Sequence, residues 1–324
     1  MSNDCGNNSN SFIVTEEYEG ERLDKLLAVI LPDYSRSYLQ QVLKDGNVLL
    51  NGRTVKASAK VKEGDLVAFA VPEKVIPDIA AEDIPLDILY EDDDVLVVNK
   101  PKNMVVHPAP GHYTGTLVNA VMYHCRDNLS GINGVLRPGI VHRIDKDTTG
   151  SVIICKNDLA HRSIAQQLKD HTIVRRYVAI LYGDPFSDPG VSKRKGVSCA
   201  DGILTVDAAI GRDPADRRRN HIDPDGKRAV THIRLLEKYK DYTYAECRLE
   251  TGRTHQIRVH TQYIGHPILG DDVYAPGRKP PFRLEGQCLH AMTLGFIHPR
   301  SGEYIETTAP VPEYMDKLLR IMPK

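Results

Sequence analysis

The stretch GIVHRIDKDTTGSVIIC, residues 139–155, places a polar loop between two apolar runs. The runs at 139–141 and 152–155 are short and rich in β-branched residues, which predicts two strands. Most of the charged and hydroxyl side chains lie between them, and rigid scaffolds commonly present catalytic groups in loops of this kind. Asp145 is therefore a candidate catalytic carboxylate, although aspartate is also an ordinary turn residue.

Further short apolar runs lie outside this stretch, at 95–98, 174–182 and 244–249. Helical spacing is found mainly at 158–170 and, behind a proline in the first turn, at 312–322. Strands outnumber long helices and do not alternate regularly with them. This pattern favours an α+β fold with a mixed, mainly antiparallel sheet over a doubly wound Rossmann fold.

The N-terminal part of the chain predicts a separate small α/β module at residues 12–75. Helical spacing indicates one helix that ends near Pro32 and a second that is capped by Ser35 or Ser37 and closed by Gly46. Asn51-Gly52 then predicts a type I′ hairpin between strands at 48–50 and 53–55, because both turn residues accept a positive φ. A last strand is expected at 65–71.

These patterns divide the chain into four predicted segments. The Asn- and Ser-rich residues 1–11 are expected to form a disordered leader. The module at 12–75 follows it, and 76–86, which is acidic and carries two prolines, is interpreted as a linker. Residues 87–324 then form the larger domain, which contains the polar loop.

Composition permits several classes of partner. The formal net charge is −1, from 42 Lys and Arg against 43 Asp and Glu, yet a nucleic-acid-binding protein can be neutral overall when its cations gather on one face. No apolar run is long enough to predict a membrane span. The six cysteines are dispersed without paired ligand spacing, so we expect reduced thiols in a cytoplasmic protein and no bound metal.

Several long segments, in order, resemble the RluA/RluD family of RNA pseudouridine synthases. They are LDILYEDDDVLVVNKPKNMVVHPAPGH (86–112), GIVHRIDKDTTG (139–150), IVRRYVAILYG (173–183), LETGRTHQIRVHTQYIGHPILGDDVY (249–274) and LHAMTLGFIHPRSGE (289–303). Ile144 stands where the family usually has Leu. The segment SRSYLQQVLKDGNVLLNGRTVKASAKVKEGD (35–65) resembles the S4 RNA-binding domain.

This resemblance implies an isomerase that converts uridine in RNA to pseudouridine on a flipped-out nucleotide. It assigns the catalytic carboxylate to Asp145, its charge partner to Arg258, and a contact with the target base to Tyr177. Arg143 is implied to contact RNA beside the pocket, and His142 to support the loop or contact RNA. The reaction is redox-neutral and transfers no external group, so no cofactor is expected; several mechanistic variants of the carboxylate remain open.

RNA is the expected partner of both domains. Cations on the second helix of the S4-like module and the strands after it would follow phosphates; they are Arg36, Lys44, Arg53, Lys56 and Lys60. Large-subunit ribosomal RNA is the favoured substrate and tRNA the alternative, and a monomer is expected. The basic stretch 212–228 fits either a flexible solvated loop or a phosphate clamp.

Two other hypotheses fit part of the same sequence. Residues 145–149 match the Asp-x-Asp-x-Thr signature of haloacid-dehalogenase-type phosphatases, which normally ends the first strand of a Rossmann-like domain and uses Mg²⁺. Alternatively, the chain is an S4-type RNA-binding or ribosome-assembly protein without catalytic activity. The presence of Asp145, Tyr177 and Arg258 together favours an enzyme over this second alternative.

Overall fold

The computed structural model describes residues 10–32, 34, 36–71, 79–108, 112–126, 128–132, 134, 137–278, 280 and 282–324. The chain forms two compact units, which divide between residues 76 and 77. Residues 1–9 of the predicted leader lie outside the described residues, whereas its last two residues, Asn10 and Ser11, begin a strand.

The N-terminal unit combines two short helices with a three-stranded antiparallel sheet. Its elements are β1 (Asn10–Ile13), a 3-10 helix (Glu16–Tyr18), α1 (Leu23–Ile30), α2 (Arg36–Lys44), β2 (Val48–Leu50) and β3 (Leu66–Phe69). The sheet order is β1-β3-β2. Leucine and valine side chains of α1 and α2 pack against the sheet in one buried cluster, which accounts for the helical spacing in the sequence.

The predicted turn in this unit is present, but the hairpin around it is short. Asn51 and Gly52 have φ values of 52° and 75°, as a type I′ turn requires. Beyond the turn, Arg53 pairs with Leu50 through a single bridge, so the predicted strand at 53–55 is wrong. Ser35, one of the two predicted helix caps, lies outside the described residues.

Asp24 on α1 is a buried carboxylate at the contact between the two helices. It accepts hydrogen bonds from Arg22 at 3.0 and 3.2 Å, from Arg36 at 2.9 and 3.2 Å, and from Gln40 at 2.6 Å. Burial alone would raise the pKa of Asp24, but these hydrogen bonds lower it well below its usual value. Arg36 therefore helps to hold α1 against α2.

The larger unit is built on a ten-stranded mixed sheet. Its elements are β4 (Ile88–Glu91), β5 (Val95–Lys100), α3 (Leu117–Cys125), β6 (Thr149–Cys155), α4 (Asp158–Lys169), β7 (Val174–Tyr182), β8 (Val197–Ala200), β9 (Ile203–Asp207), β10 (Ile210–Arg212), β11 (Asn220–Ile222), β12 (Val230–Lys238), β13 (Tyr242–Leu249), α5 (Gln256–Tyr263), β14 (Leu289–Ile297), β15 (Tyr304–Thr308) and α6 (Glu313–Ile321). The order is β4-β5-β6-β14-β7-β13-β12-β9-β8, with β15 paired to β14. Among the strands of the described residues, only β14 and β6 pair in parallel, which confirms the predicted mainly antiparallel α+β fold.

The centre of this sheet is covered on both faces, which explains its continuous apolar runs. On one face, Val97 and Ile153 belong to a cluster with Ile164 of α4. On the opposite face, Val98 belongs to the main core cluster together with Val118 of α3. The strand β6 leads out of the polar loop, so the loop is attached directly to a strand that is buried along its whole length.

Three sequence predictions for this unit need correction. The run at 139–141 is not a strand, because only Ile140 makes a bridge, to Ile154. The basic stretch at 212–228 is not a simple flexible loop, since its residues 212–222 belong to a hairpin formed by β10 and β11. The described part of the predicted linker is attached to the larger unit: Ile79 is 3% exposed, and Asn119 donates a hydrogen bond to the Ala80 carbonyl at 2.8 Å.

None of the helices in the described residues combines the length and apolar composition needed to cross a membrane.

Candidate active site

A buried lysine holds the polar loop that carries Asp145 through hydrogen bonds to backbone carbonyls. Lys100, at the end of β5, is fully buried, and its Nζ donates to the carbonyls of Pro101, Met104 and Lys146 at 2.8–2.9 Å. Burial lowers the pKa of Lys100 to about 7, against the raising effect of the nearby charges of Asp147 and Asp145. The Lys100 side chain thus joins the loop to the end of β5.

His142 anchors the other side of the loop. Its Nε2 accepts a hydrogen bond from the backbone N–H of Ile153 on β6 at 3.0 Å. Burial lowers the pKa of His142 to about 3, so the ring is neutral and able to accept this bond. The contact favours loop support, one of the two roles expected of His142, and Arg143 beside it is exposed.

Asp145 lies next to the guanidinium of Arg258, although 113 residues separate them in the chain. Arg258 Nη1 donates to Asp145 Oδ2 at 2.9 Å, while Arg258 Nε and Nη2 donate to Asp271 at 2.7 and 2.9 Å. Burial alone would lower the pKa of Arg258, but Asp271 and Asp145 raise it above its usual value. One buried cation therefore joins two carboxylates, and the geometric pairing implied by the resemblance is present.

Asp271 is a residue that sequence reasoning did not single out. Its side chain is fully buried and also accepts hydrogen bonds from the backbone N–H groups of Val273 and Tyr274, at 3.1 and 2.9 Å. It lies within the quoted segment 249–274, where Gly270-Asp271-Asp272 resembles a polar turn. The available signal was its position after the buried Ile268 and Leu269, which does not distinguish Asp271 from its exposed neighbour Asp272.

His255 approaches the second oxygen of Asp145. It precedes α5 in a left-handed conformation with φ 58°, and its Nε2 lies 3.6 Å from Asp145 Oδ1. Its Nδ1 is 2.9 Å from the Tyr274 hydroxyl, which in turn accepts a hydrogen bond from the Asn220 N–H at 2.8 Å. In the tautomer that carries its proton on Nε2, the His255 Nδ1 accepts from the Tyr274 hydroxyl and the Nε2–H lies toward Asp145.

Asp145 and His255 line a cavity of about 450 Å³. Tyr177 lines it from the middle of β7, is 9% exposed, and has its pKa raised by burial. Among the described lining residues, Asp145 is the single acid, and the cations are Arg143, Lys169, Arg175, Arg253 and Arg258. Asp145, Tyr177 and Arg258 are thus brought together in one cavity whose charge suits a polyanionic ligand.

The predicted RNA-contacting residues of the N-terminal unit are placed differently from one another. Lys44, Arg53, Lys56 and Lys60 are exposed, as a phosphate-binding face requires. Arg36 instead directs its Nε and Nη2 to Asp24, so these donors are occupied by the contact between α1 and α2. The roles of all five cations in RNA binding remain predictions.

One group of possible metal ligands is found among the described residues, away from the cavity lining. Oxygen and nitrogen atoms of Asp92, Asp94 and His298 lie within 4.8 Å of one another. Both carboxylates already have strong partners, since the Tyr90 hydroxyl donates to Asp92 at 2.6 Å and Arg300 donates to Asp94 at 2.6 and 2.7 Å. These side chains therefore link the segment at 92–94 to the segment at 298–300. The absence of a bound metal stays a prediction.

The phosphatase hypothesis does not fit this setting. Asp145 follows a segment that pairs through one residue and precedes β6, in a sheet whose pairs are antiparallel except for β6 with β14. A haloacid-dehalogenase-type signature requires the parallel sheet of a Rossmann-like domain.

Comparisons with known proteins identify the family of the chain. A family model described as RNA pseudouridylate synthase matches residues 94–263, and an S4 domain model matches residues 21–67. An uncharacterized RNA pseudouridine synthase of Bacillus subtilis is 53% identical, over 96% of this chain and 97% of that protein. The ribosomal large subunit pseudouridine synthase D of Zymomonas mobilis is 44% identical, over 95% of this chain and 96% of its own length.

A solved structure supports the fold of the larger unit. The human RNA pseudouridylate synthase domain containing 1 matches with a TM-score of 0.54 and 24% identity, over 75% of this chain and 98% of the human chain. Family model, full-length relatives and fold lead to one conclusion. The chain belongs to the family of RNA pseudouridine synthases, enzymes that isomerise uridine in RNA to pseudouridine, and it carries an N-terminal S4 domain.

Proposed function

We propose that this chain isomerises uridines of large-subunit ribosomal RNA, with Asp145 as the catalytic carboxylate. The substrate is inferred from relatives: proteins named ribosomal large subunit pseudouridine synthase D, from Zymomonas mobilis and Escherichia coli, are 44% and 40% identical over 95% of this chain. A structured RNA also suits a chain with an S4 domain. Transfer RNA is the alternative substrate class.

The reaction rearranges one nucleoside and needs no second substrate. The bond between uracil N1 and ribose C1′ breaks, the uracil turns, C5 bonds to C1′, and the C5 proton leaves as N1 gains a proton. A carboxylate can assist by adding covalently to the sugar or the base, or by taking a proton from the ribose. Each route uses Asp145 in its ionised form, beside the guanidinium of Arg258.

The observation that carries the proposal is the hydrogen bond of Arg258 to Asp145 at 2.9 Å inside the cavity. Arg258 is 5% exposed, so the pair interacts in a partly desolvated setting where the attraction is stronger than in water. The Asp145 Oδ1 atom is left for the substrate and for His255. Tyr177, on the cavity wall, would stack on uracil and help to remove the C5 proton.

A base reaches Asp145 inside this cavity only after the nucleotide has left its stack. Extruding it costs roughly a few kcal/mol, which contacts with the backbone must offset. Arg143 is exposed beside Asp145, where its long cationic side chain can occupy the vacated stack or bind phosphate. The exposed cations Lys44, Arg53, Lys56 and Lys60 of the S4 domain would add contacts elsewhere on the RNA. The enzyme would act as a monomer in the cytoplasm, with no metal.

The activity is tested by tritium release from RNA that contains uridine labelled at C5. We expect release by the wild-type chain, none by Asp145→Ala, and RNA affinity within about threefold of wild type, because a carboxylate adds little attraction for a polyanion. Asp272→Ala, which removes an exposed aspartate of the same unit, is the matched control and should remain active. Tight RNA binding by the wild-type chain without tritium release would leave the non-catalytic S4 hypothesis.

The substrate class is tested by mapping pseudouridine in a deletion strain. Primer extension after carbodiimide treatment would be run on its ribosomal and transfer RNA. We expect stops to disappear at positions in large-subunit ribosomal RNA and to return with the wild-type gene but not with Asp145→Ala. Loss confined to tRNA would reject the ribosomal substrate while leaving the chemistry intact.

A further inference from the structure

Arg175 is a second buried arginine of the cavity, and the mechanism above does not use it. It precedes Tyr177 by two positions on β7, so both side chains leave the same face of the strand. Arg175 is 7% exposed, and it lines the cavity together with Tyr177 and Asp145.

No acidic side chain among the described residues pairs with Arg175. Its Nη2 donates to the backbone carbonyl of Glu250 at 3.2 Å, and its Nε is buried without a hydrogen-bond partner. The Glu250 carboxylate is engaged elsewhere, with His232 at 2.8 Å and Arg228 at 3.8 Å. Arg258, in contrast, is paired with two carboxylates. Of these two buried arginines of the cavity, Arg258 thus has negative side chains beside it, whereas Arg175 has a backbone carbonyl.

An uncompensated buried cation is costly, and it persists where a ligand supplies the missing charge. The cavity wall is shaped to keep the guanidinium in place: a Cβ on Gly252 would lie 2.4 Å from Arg175 Nη1. Burial lowers the pKa of Arg175, yet an arginine of this kind remains protonated at neutral pH.

We infer that Arg175 binds a phosphate of the RNA backbone that flanks the flipped-out target nucleotide. This inference rests on the proposed use of the cavity as the uridine site. A phosphate supplies both the negative charge and the oxygen acceptors that the guanidinium lacks, in the geometry that arginine binds best. A uracil carbonyl would offer an acceptor but no charge, so it would leave the cation uncompensated.

The location gives Arg175 a specific task. It lies two residues from the proposed base-stacking Tyr177 and shares the cavity with Asp145. A phosphate held there would fix the ribose of the target nucleotide relative to the carboxylate. Arg175 is thus assigned to positioning the substrate, and its loss should reduce the rate of the bound complex as well as RNA affinity.

The test combines a protein substitution with a neutral phosphate. Single-turnover tritium release would be measured with short RNA substrates that carry a methylphosphonate at the phosphate 5′ or 3′ of the target uridine. We expect Arg175→Met to lower the rate at saturating enzyme by about 10- to 100-fold, and one of the two methylphosphonates to lower the wild-type rate similarly. The same methylphosphonate should lower the Arg175→Met rate by less than about threefold.

Arg176 is the matched control. It neighbours Arg175 on β7 but has 39% of its side chain exposed and lies 3.8 Å from Glu306. Arg176→Met should therefore act on the unmodified RNA within about threefold of wild type. Arg175→Lys, which keeps the charge, should recover part of the lost rate and still respond to the methylphosphonate.

The outcomes separate the inference from the proposed function. The rate of Arg175→Met on the methylphosphonate RNA could instead fall by the product of the two separate losses. This outcome would overturn the inference and assign Arg175 to the uracil or to the cavity wall. A wild-type rate unaffected by either methylphosphonate would do the same. Failure of the wild-type chain to release tritium from any RNA would overturn the proposed function together with this inference.

Discussion

Asp271→Asn tests the role of the buried Arg258 guanidinium separately from that of Asp145, the other carboxylate it contacts. The carboxylate of Asp271 accepts from Arg258 Nε and Nη2 at 2.7 and 2.9 Å and is fully buried. An asparagine side chain of the same shape keeps one acceptor oxygen and turns an N–H donor toward the second guanidinium N–H. One charge-assisted hydrogen bond is lost and a donor–donor contact replaces it.

The size of the effect follows from this loss. A hydrogen bond to a charged group contributes about 1.5–3 kcal/mol, so we expect a penalty of about 2–3 kcal/mol. Expressed entirely in the transition state, that penalty corresponds to a rate about 30- to 150-fold lower. Expressed in folding, it lowers the free energy of unfolding by the same amount. RNA affinity should change little, because Asp271 is not exposed to the RNA.

Both quantities can be measured on the same variant. Single-turnover tritium release gives the rate, and urea unfolding gives the stability. Asp272→Asn is the control, because Asp272 is the exposed neighbour of Asp271 and should leave both quantities nearly unchanged. If Asp271→Asn matched Asp272→Asn in rate and in stability, Asp271 would not be the group that holds Arg258.

Three further substitutions test other parts of the structure. Asp24→Asn should lower the free energy of unfolding of the N-terminal unit by about 3 kcal/mol at neutral pH. The pKa of Asp24 in the folded state lies below its ordinary value of 3.8. The stabilisation by Asp24 is therefore present above pH 3.8 and is lost as the pH falls through the pKa of the folded state. Gly150→Ala should prevent stable folding or cost more than about 3 kcal/mol, since φ is 109° and a Cβ would lie 2.2 Å from the Ala291 carbonyl oxygen. Tyr177→Phe keeps the ring and removes the hydroxyl, so tritium release should fall about 100-fold at unchanged RNA affinity.

Each of these has its own measurement and control. Amide hydrogen exchange of α1 and α2 between pH 2.5 and 7 follows Asp24, and an acid response identical in wild type and variant would exclude its proposed contribution. Thermal unfolding follows Gly150→Ala against Gly131→Ala, where a Cβ meets no atom within 4 Å; equal midpoints would contradict the steric argument. Tyr182→Phe, at the far end of β7, is the control for Tyr177, and equal rates for the two variants would remove the hydroxyl from the mechanism.

Sequence patterns predicted the elements whose determinants are local. The helical spacing of Leu23, Leu26 and Ile30 predicted α1, because this pattern is complete within a few residues. For the same reason, Asn51-Gly52 predicted the turn that follows β2. The run at 139–141 has the composition of a strand but makes a single bridge to β6. Composition cannot report whether a neighbouring strand is available, so this prediction failed.

The buried charges were the least predictable part of the site. Arg258 was identified through its motif, but Asp271, Lys100 and Asp24 were not, since a lone charged residue in a sequence is expected at the surface. Their partners are set by the fold: Lys100 meets the carbonyl of Lys146 across 46 positions. The distribution of apolar residues indicates where a core lies but not which cations and carboxylates it encloses.

The arrangement of one guanidinium between two carboxylates has a consequence for the catalytic cycle. At rest the trio of Asp145, Arg258 and Asp271 carries a net charge of −1. Any route that esterifies or protonates Asp145 removes one negative charge and leaves Arg258 and Asp271 as a neutral, fully bonded ion pair. Asp271 then remains as the counter-ion of Arg258, so Asp145 can change its charge without leaving an unpaired cation in the interior.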